Sequence, residues 1–343
     1  YRDGALRLVD DVEVKVSDRH NRTGFVITSD EGQLNADKTS VQVMGNVKMS
    51  SSDGLSAFTD QAVYTEVGEM VRMPGPTTFN RENFEAWGER SEYDREANIL
   101  RLFEVARVDL VSGLNKTRIS SSRATLDQNN QVMQFDDDVT INTQTEEMQS
   151  VHARVKLRHD DKELESLLLR RKAQVRSMAE NSSLRNVTAN QIGLFYAEDG
   201  DTLEKANFSG GARLVMSGRD RDLGTEVQGN IMRLAFSLDG QTLQELVARN
   251  QVRLELPEDS EGRKQTVAAN RLSATSSSGL GLDRIDFDGE VVFEDANKID
   301  GGNGAMRVTR AQRVESSLSN SLTELDDARF IGEVSFEDGE VTG

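Results

Sequence analysis

The feature that most constrains the fold is a period of two in the hydrophobic residues. In residues 41–49, VQVMGNVKM, the side chains of Val41, Val43, Val47 and Met49 share one face, and polar residues fall between them. Successive side chains of a β-strand point to opposite faces of the sheet, so this alternation predicts half-buried strands. The one segment with a helical pattern, residues 162–173, also fits a strand.

The predicted strands recur in cycles, each made of a strand, a turn and a returning strand. The first hairpin turns at Asp53-Gly54, between residues 41–49 and 55–66, and the same cycle runs again through residues 84–110. The rest of the chain follows the same plan, which is typical of a repeat architecture.

One spacing marks the copies: an apolar or small residue, a second five positions later, and a third two positions after that. The copies are Ile27/Gly32/Leu34, Ala57/Ala62/Tyr64, Ala86/Ser91/Tyr93, Ile119/Ala124/Leu126, Met148/Ala153/Val155, Val187/Ile192/Leu194, Val227/Met232/Leu234 and Val267/Leu272/Ala274, with a degenerate one near Thr309 and Val314. Because a step of five changes face on a straight strand, we expect a bulge or bend between the first two residues. A small residue followed by Asp or Asn, such as Ser29-Asp30 or Ala189-Asn190, occupies that place in several copies.

The returning strands carry a second signature, a Gly, Asn, Asp or Ala two residues before an aliphatic residue. The examples are Gly45-Asn46-Val47, Ala106-Arg107-Val108, Asp137-Asp138-Val139, Ala173-Gln174-Val175, Asn250-Gln251-Val252, Gly289-Glu290-Val291 and Gly332-Glu333-Val334. Gly and Asn tolerate a positive φ, so this position is predicted to kink each returning strand and increase its twist.

These patterns predict an all-β fold, a twisted open-edged β-jellyroll of about nine strand-turn-strand repeats, built as one array or as two tandem jellyroll units. The repeats are about 30 residues apart from residue 27 to residue 148, and about 40 apart from residue 187 onward. The change coincides with the polar segment 179–186. We therefore expect one jellyroll over residues 1–178 and a second over residues 179–343.

Charge and composition exclude several classes of function. A net charge of −18 repels phosphate backbones, which argues against nucleic-acid binding. The chain has no cysteine, hence neither disulfides nor thiolate sites, and no segment approaches the roughly 20 apolar residues of a membrane helix. Since the sequence begins with Tyr1 and not Met, we expect that a leader or an N-terminal anchor has been removed.

Residues with catalytic or metal-binding potential do not form a convincing site. His152 and His159 have no third or fourth ligand placed near them in the sequence, and are expected to be solvated turn residues. The acidic runs 136–138 and 199–201 lack a spaced calcium loop and are also expected in turns. No nucleophile or phosphate-loop motif is visible. We expect no cofactor and no enzyme activity, with a β-helix polysaccharide-active enzyme as the less favoured alternative.

Residues 24–110 resemble the LptC/LptA (OstA-like) family of lipopolysaccharide-transport proteins. The resemblance is carried by Asp53-Gly54, Ala57, Ala62, Tyr64, Gly68, Met70, Gly75, Gly88, Tyr93-Asp94 and the run from Leu100 to Val108. It implies a β-jellyroll with a hydrophobic groove between its sheets, in the periplasm of a Gram-negative cell. It also implies edge-to-edge docking into a bridge from an inner-membrane ABC transporter to the outer membrane. The chain is about twice the length of one family domain and lacks the anchoring helix of LptC, which leaves LptC-like and LptA-like roles open.

On this resemblance we expect a periplasmic bridge component that shields the acyl chains of lipopolysaccharide. Its partners would be lipopolysaccharide, other jellyroll proteins that add to its edge strands, and the transporter. The side chains expected to line the groove are Val41, Val43, Val47, Met49, Ala62, Tyr64, Met70, Phe79, Phe84, Trp87, Tyr93, Ile99, Leu102, Leu126, Phe135, Val139, Ile141, Leu194, Phe208, Leu234, Val252, Leu254, Ile285, Phe287, Val291 and Phe293. A C-terminal docking edge would contain Phe330, Val334 and Phe336. The alternative is a self-assembling β-scaffold with a filled core, which a closed interior would favour.

Overall fold

The chain is all-β, as the alternation predicted. The computed structural model describes residues 6–17, 23–52, 54–82, 84–112, 115–158, 163–178, 184–217, 223–258, 262–279, 281–297, 304–319 and 324–341. These residues contain 22 β-strands and no helix. Accordingly, no helix in this part of the chain is long and apolar enough to cross a membrane.

The chain divides into two compact units. Unit 1 comprises Tyr1–Gln144 and Ser150–Glu165, and unit 2 comprises Thr145–Gln149 and Ser166–Gly343. The division lies earlier in the chain than residue 178, where the change in repeat length suggested a boundary. The relation of each half to an LptC-like or OstA-like jellyroll stays a prediction.

Unit 1 contains eleven complete strands within its described residues. They are β1 (Leu6–Ser17), β2 (Thr23–Leu34), β3 (Ser40–Ser51), β4 (Ser56–Thr65), β5 (Met70–Met73), β6 (Thr77–Arg81), β7 (Phe84–Gly88), β8 (Arg90–Asp94), β9 (Ile99–Ser112), β10 (Asn115–Asp127) and β11 (Val132–Asn142). Strand β12 (Glu146–Leu157) is shared by the two units, and β13 (Leu164–Ser177) lies almost wholly in unit 2.

The remaining strands belong to unit 2. They are β14 (Leu184–Tyr196), β15 (Leu203–Ser217), β16 (Leu223–Phe236), β17 (Leu243–Glu255), β18 (Arg263–Thr275), β19 (Arg284–Asn297), β20 (Gly304–Ser319), β21 (Glu324–Ile331) and β22 (Ser335–Val341). From β13 to β20 each strand pairs antiparallel with the next, and β21 and β22 both pair with β20.

Every odd-numbered long strand (β1, β3, β9, β11, β13, β15, β17 and β19) bends at a bulge in which two left-handed residues face one residue of the neighbour. In β3, Gly45 and Asn46 have φ of 76° and 48°, and the register on both sides slips at this pair. The buried residues of β3, Val43, Val47 and Met49, keep one alternation across the bulge. The change of phase falls in the neighbouring strand β4, whose buried residues Ala57 and Ala62 are five positions apart. The predicted kinks at Gly45, Asp137, Asn250, Gly289 and Gly332 are confirmed by their positive φ.

Two predicted kinks are wrong, and two were missed. Ala106 and Ala173 are buried strand residues, and the left-handed pairs are Glu104–Val105 and Arg171–Lys172. The register of the neighbouring strands fixes where the extra residue falls, so residue type does not determine it. The missed pairs are Asp10–Asp11 and Gly210–Gly211; Asp10-Asp11-Val12 does carry the predicted signature but was not among the expected kinks.

The small-Asx positions do not form the bulges themselves, in contrast to our expectation; they cover the bulges of the neighbouring strand. A Cβ added to Gly210 would lie 2.7 Å from the Asn190 Cβ, and one on Gly45 would lie 2.6 Å from Asp30 Oδ2. The Asp30 carboxylate also accepts a hydrogen bond from Asn46 Nδ2 at 2.8 Å. At these bulges, the short polar side chain of the adjacent strand occupies the space next to the glycine. The glycine itself therefore has no room for a side chain.

In the middle of unit 1, four short strands, β5 to β8, lie between the long strands β4 and β9. Strand β4 pairs with β5 along one arm and with β6 along the other, and β7 and β8 both pair with β9. Pro74 and Pro76 lie between β5 and β6 and supply no N–H donors, which ends the ladder there. The first hairpin turn includes Asp53, which lies outside the described residues.

Candidate functional site

The predicted groove residues of unit 1 lie mostly in a packed interior. Twelve of them have an exposed fraction of at most 5%: Val43, Val47, Met49, Ala62, Phe79, Phe84, Tyr93, Leu102, Leu126, Phe135, Val139 and Ile141. Phe79 pairs across the sheet with Ala57 and Ala86, so a large side chain is set between two small ones. Phe84 and Leu126 border a cavity of only about 20 Å³, roughly one water molecule. Contact of these side chains with a lipid stays a prediction.

Five predicted groove residues of unit 1 are half-buried: Val41, Tyr64, Met70, Trp87 and Ile99. Val41 and Tyr64 are directly paired on the inner face. Met70, Trp87 and Ile99 are a correction, because their chain neighbours Val71, Ala86 and Leu100 are the buried ones. With a period of two, a residue next to an inward side chain points outward.

The predicted groove residues of unit 2 fall into two groups. Leu194, Phe208 and Leu234 line a cavity of about 690 Å³ that lies within unit 2. Val252, Leu254, Ile285, Phe287 and Val291 are buried away from that cavity, and Phe293 is half-buried.

The cavity is built by β13 to β17, the beginning of β12, two hairpin turns and residues 281–282 before β19. Leu194, Ala206 and Leu234 are cross-strand partners on β14, β15 and β16, and they form one wall. Ala206 is the smallest side chain of this wall. The full apolar lining is Val175, Leu184, Val187, Leu194, Leu203, Ala206, Phe208, Met216, Leu234, Phe236, Leu243 and Leu282.

Two turns of similar sequence form part of the rim, D-G-D-T at residues 199–202 and D-G-Q-T at residues 239–242. The carboxylate of Asp239 accepts hydrogen bonds from the Ser237 hydroxyl and from the backbone N–H groups of Gln241 and Thr242. The Ser237 hydrogen bond, together with those from the backbone, holds the pKa of Asp239 well below its usual range. The first turn repeats this pattern through Asp199. Both turns are fixed by their own side chains, which gives the rim a defined shape.

The polar part of the lining is acidic. Among its described residues, Glu146, Asp201 and Asp239 are acidic, and Arg185 is the single cationic side chain. Burial raises the pKa of Glu146. Burial also raises the pKa of Tyr196, and the charges of Glu146 and Asp201 add to this effect. The charges of Glu146 and Asp201 therefore both act on the Tyr196 hydroxyl.

Sequence reasoning missed most of the cavity lining. The predicted set did not include the polar lining residues Glu146, Tyr196 and Arg185. It also did not include the apolar residues Leu184 and Met216, at the start of β14 and the end of β15. The repeated D-G-x-T turns, 40 residues apart, were the available signal, since they place two hairpins at the same end of unit 2.

The histidine and acidic clusters have structural roles in unit 1. His152 lies in strand β12, not in a turn as expected, and its Nδ1 is 2.8 Å from Asp136 Oδ1. Asp137 and Asp138 form the β11 bulge rather than a turn. His20 and His159 lie outside the described residues. Within the described part of the chain, no three His, Cys, Asp or Glu side chains are grouped to hold a metal.

The predicted C-terminal docking edge is partly exposed. Val334 and Phe336 are 54% and 61% exposed, and the described pairing of β22 is with β20 alone. Phe330 differs, since its ring packs edge-on against Phe293 at 5.8 Å between centroids. Phe330 is therefore half-buried against Phe293 and is not exposed at the edge as Val334 and Phe336 are.

In comparisons with known proteins, no family model matches this chain, and no curated protein matches its sequence.

Proposed function

We propose that this protein shields the hydrocarbon part of a lipid from water, with the cavity of unit 2 as the binding site. The observation that supports the proposal is a cavity of about 690 Å³ with an aliphatic and aromatic lining. Sites for small apolar molecules typically have volumes of about 300 to 1,000 Å³ and a few polar groups at defined positions. The rim of Glu146, Tyr196 and the two turns has this character.

The energetic basis is the transfer of methylene groups out of water. Each buried methylene contributes ~0.8 kcal/mol, so a chain of about 12 carbons gains on the order of 10 kcal/mol before the costs of ordering. Residues such as Phe208, Leu234 and Met216 need supply only an apolar surface. The protein is thus a passive carrier, and any directed movement takes its energy from a partner.

The wider proposal follows the LptC/LptA resemblance of residues 24–110. The lipid is then lipopolysaccharide, the location is the periplasm, and an N-terminal anchor can tether the protein to the inner membrane. Partners are jellyroll bridge proteins that add to an edge strand and an inner-membrane ABC transporter. The outer side of β22, with exposed Phe336 and with exposed Val334 just before the strand, supports such strand addition because unpaired strand groups accept another strand.

A second candidate, a structural β-scaffold, is favoured by one observation in unit 1. Its largest buried side chains, among them Phe79 and Phe135, are fully enclosed by neighbouring strands. A filled core of this kind needs no ligand. In this alternative the chain is a self-assembling structural β-array and carries no lipid.

The test is native mass spectrometry of the whole chain purified from a Gram-negative host. We expect lipid adducts on the unmodified protein, and their loss in Ala206→Trp, which fills the cavity. Asn207→Trp is the matched control, because Asn207 is the exposed neighbour on the same strand. Absence of adducts on the unmodified protein, or equal loss in both variants, would contradict the proposal.

Docking is tested separately by deleting residues 324–343, which contain β21 and β22. We expect loss of partner binding with retention of lipid adducts. Unchanged partner binding and oligomer size would show that this edge is not a docking site.

A further inference from the structure

We propose that the outer side of the bend in unit 2 is a docking surface for an anionic lipid membrane, held by basic side chains that contact lipid phosphates. This surface is separate from the cavity. It is defined by the register of six neighbouring strands, β13 to β18, and by the charges of their exposed side chains.

Three rows of paired residues cross these strands on the outer face beside the bulges. The central row consists of Arg170, Gln191, Ser209, Ile231, Arg249 and Arg271, each paired directly with the next. The two flanking rows are Leu168, Gly193, Asn207, Arg233, Val247 and Ser273, and Gln174, Thr188, Arg213, Gln228, Arg253 and Ala268. None of these residues is Asp or Glu, although the whole chain has a net charge of −18.

Six exposed cations of this region form what we call the basic ridge. They are Arg170, Arg171, Lys172, Arg233, Arg249 and Arg271. Arg171 and Lys172 are the two left-handed residues of the β13 bulge. Among the residues that the structure describes, no carboxylate forms an ion pair with any of the six.

The carboxylates closest to the basic ridge by register are occupied by other cations. Asp288 faces Arg271 from β19, and its Oδ1 lies 3.6 Å from Nε of Arg313. Arg213 and Arg253, in a flanking row, form ion pairs with glutamates further along the same arm. The charge of the basic ridge is therefore available to an external partner.

The bend itself does not require basic residues. In unit 1 the left-handed bulge residues include Asp10, Asp11, Glu104, Asp137 and Asp138, and none of the bulge pairs described there contains Lys or Arg. The basic ridge is thus a particular property of unit 2.

The shape and chemistry of the basic ridge fit a membrane surface. The inward side chains of both arms are buried, so the exposed side chains at the bend lie on its convex side and extend over roughly 24 Å from β13 to β18. A convex ridge can contact a flat surface along its whole length, whereas a rigid protein partner would need a matching groove. A guanidinium group donates two parallel hydrogen bonds to a phosphate, and the 38% exposed Ile231 in the central row adds an apolar contact.

The negative charge of the rest of the chain does not prevent this contact at moderate salt. At about 0.1 M salt the Debye length is about 10 Å, so an approaching membrane responds mainly to the cations nearest to it. No residue of the basic ridge lines the cavity, so docking leaves the cavity lining free.

The experiment measures cosedimentation of the full chain with vesicles in about 0.1 M salt. We expect binding to vesicles of phosphatidylethanolamine and phosphatidylglycerol, and none to vesicles of phosphatidylcholine alone. Raising the salt to about 0.5 M should release the protein, because the attraction is screened. Absence of binding to the anionic vesicles, or equal binding to both kinds, would overturn the proposal.

A pair of double variants locates the contact. Arg249→Gln with Arg271→Gln should weaken vesicle binding by at least about tenfold, since each cation near an anionic membrane strengthens binding by about fivefold. Arg176→Gln with Lys205→Gln is the matched control: it removes the same charge from exposed strand positions outside the three rows and should leave binding unchanged. Equal losses in both double variants would show that overall charge, and not the basic ridge, governs binding.

Two further outcomes separate this surface from other contacts. If the ridge variant binds vesicles normally but loses self-association in sedimentation velocity, the basic ridge contacts a second copy of the chain and the membrane assignment is overturned. Ala206→Trp should bind vesicles as the unmodified chain does; loss of binding in that variant would assign the vesicle contact to the cavity. Normal vesicle binding by a protein that shows no lipid adducts would contradict the proposed function and leave the docking surface standing.

Discussion

The two units use the same bent strand, yet their interiors differ. In unit 1 large inward side chains face small ones on the next strand, as Phe79 faces Ala57 and Ala86, and the space between strands closes. In unit 2 Leu194, Ala206 and Leu234 lie side by side and leave a cavity of about 690 Å³. The comparison teaches that one kind of bent strand can enclose either a filled core or an open interior, depending on how the side chains of all the surrounding strands fill the space.

The largest expected difference comes from truncating one buried phenylalanine in each unit. Phe135→Ala in unit 1 should lower the free energy of unfolding by about 3 to 5 kcal/mol, because Phe135 is fully enclosed. Phe208→Ala should cost roughly half as much, since part of its ring already faces the cavity. Urea denaturation followed by circular dichroism measures both. Equal losses would show that the cavity does not exist in solution.

Enlarging a small residue provides the converse comparison. Ala124→Phe should destabilise unit 1 by about 1 to 3 kcal/mol, because Ala124 lies between Leu102 and Phe135 with no free space. Ala206→Phe should cost less than about 1 kcal/mol, since the cavity accepts the ring. The midpoints of thermal unfolding compare the two variants. A larger loss for Ala206→Phe would contradict the assignment of the open interior to unit 2.

A cross-strand ion pair distinguishes the units in acid. In unit 1 the Arg118 guanidinium, 2.9 and 3.0 Å from the Asp109 carboxylate, lowers the pKa of Asp109 to about 2. A lowered pKa contributes stability above the unfolded value near 3.9, and this contribution of about 2 kcal/mol is lost as the pH falls toward 2. Asp109→Asn should remove most of that pH dependence.

The unit 2 counterpart of this pair is Glu226, whose pKa is lowered mainly by a hydrogen bond from Arg213. As the pH falls, the free energy of unfolding decreases; Glu226→Gln should reduce this decrease less than Asp109→Asn does. Denaturation series between pH 6 and pH 2 provide the measurement. If the free energy of unfolding of Asp109→Asn depends on pH between 6 and 2 as that of the unmodified protein does, the role of the Arg118–Asp109 pair is contradicted.

The smallest difference is expected at the bulges. Gly45→Ala and Gly211→Ala both place a side chain at a positive φ, of 76° and 70°, which costs roughly 1 kcal/mol. Gly45→Ala should cost roughly 1 kcal/mol more, because its Cβ would meet Asp30, whereas a Cβ on Gly211 meets open space. Equal losses measured by denaturation would indicate that the Asp30 side chain moves aside freely.

Much of the fold was predictable from alternation and residue type. The period of two gave the strands, and Gly45-Asn46 and Asn250-Gln251 marked bulges because Gly and Asn accept a positive φ at low cost. At Arg171–Lys172 and Glu104–Val105 the same conformation is imposed by the register of neighbouring strands. Residue type carries no signal of such a constraint, so sequence placed those two kinks wrongly.

The candidate site was only partly predictable. Leu194, Phe208 and Leu234 were expected to face inward, and they do. That they border a common cavity depends on the pairing of β14, β15 and β16, which follows from register and not from local sequence. Glu146 joins the site from a distant strand, a placement that single-strand periodicity does not contain.

The order of pairing described for unit 2, in which each strand from β13 to β20 bonds to its chain neighbours, has an evolutionary consequence. A genetic duplication or deletion of one hairpin changes only the two strands that flank it, and all other partners are kept. Descendants of such a chain can differ in hairpin number as easily as in single residues. Length and sequence can then diverge together while the bent-strand architecture persists.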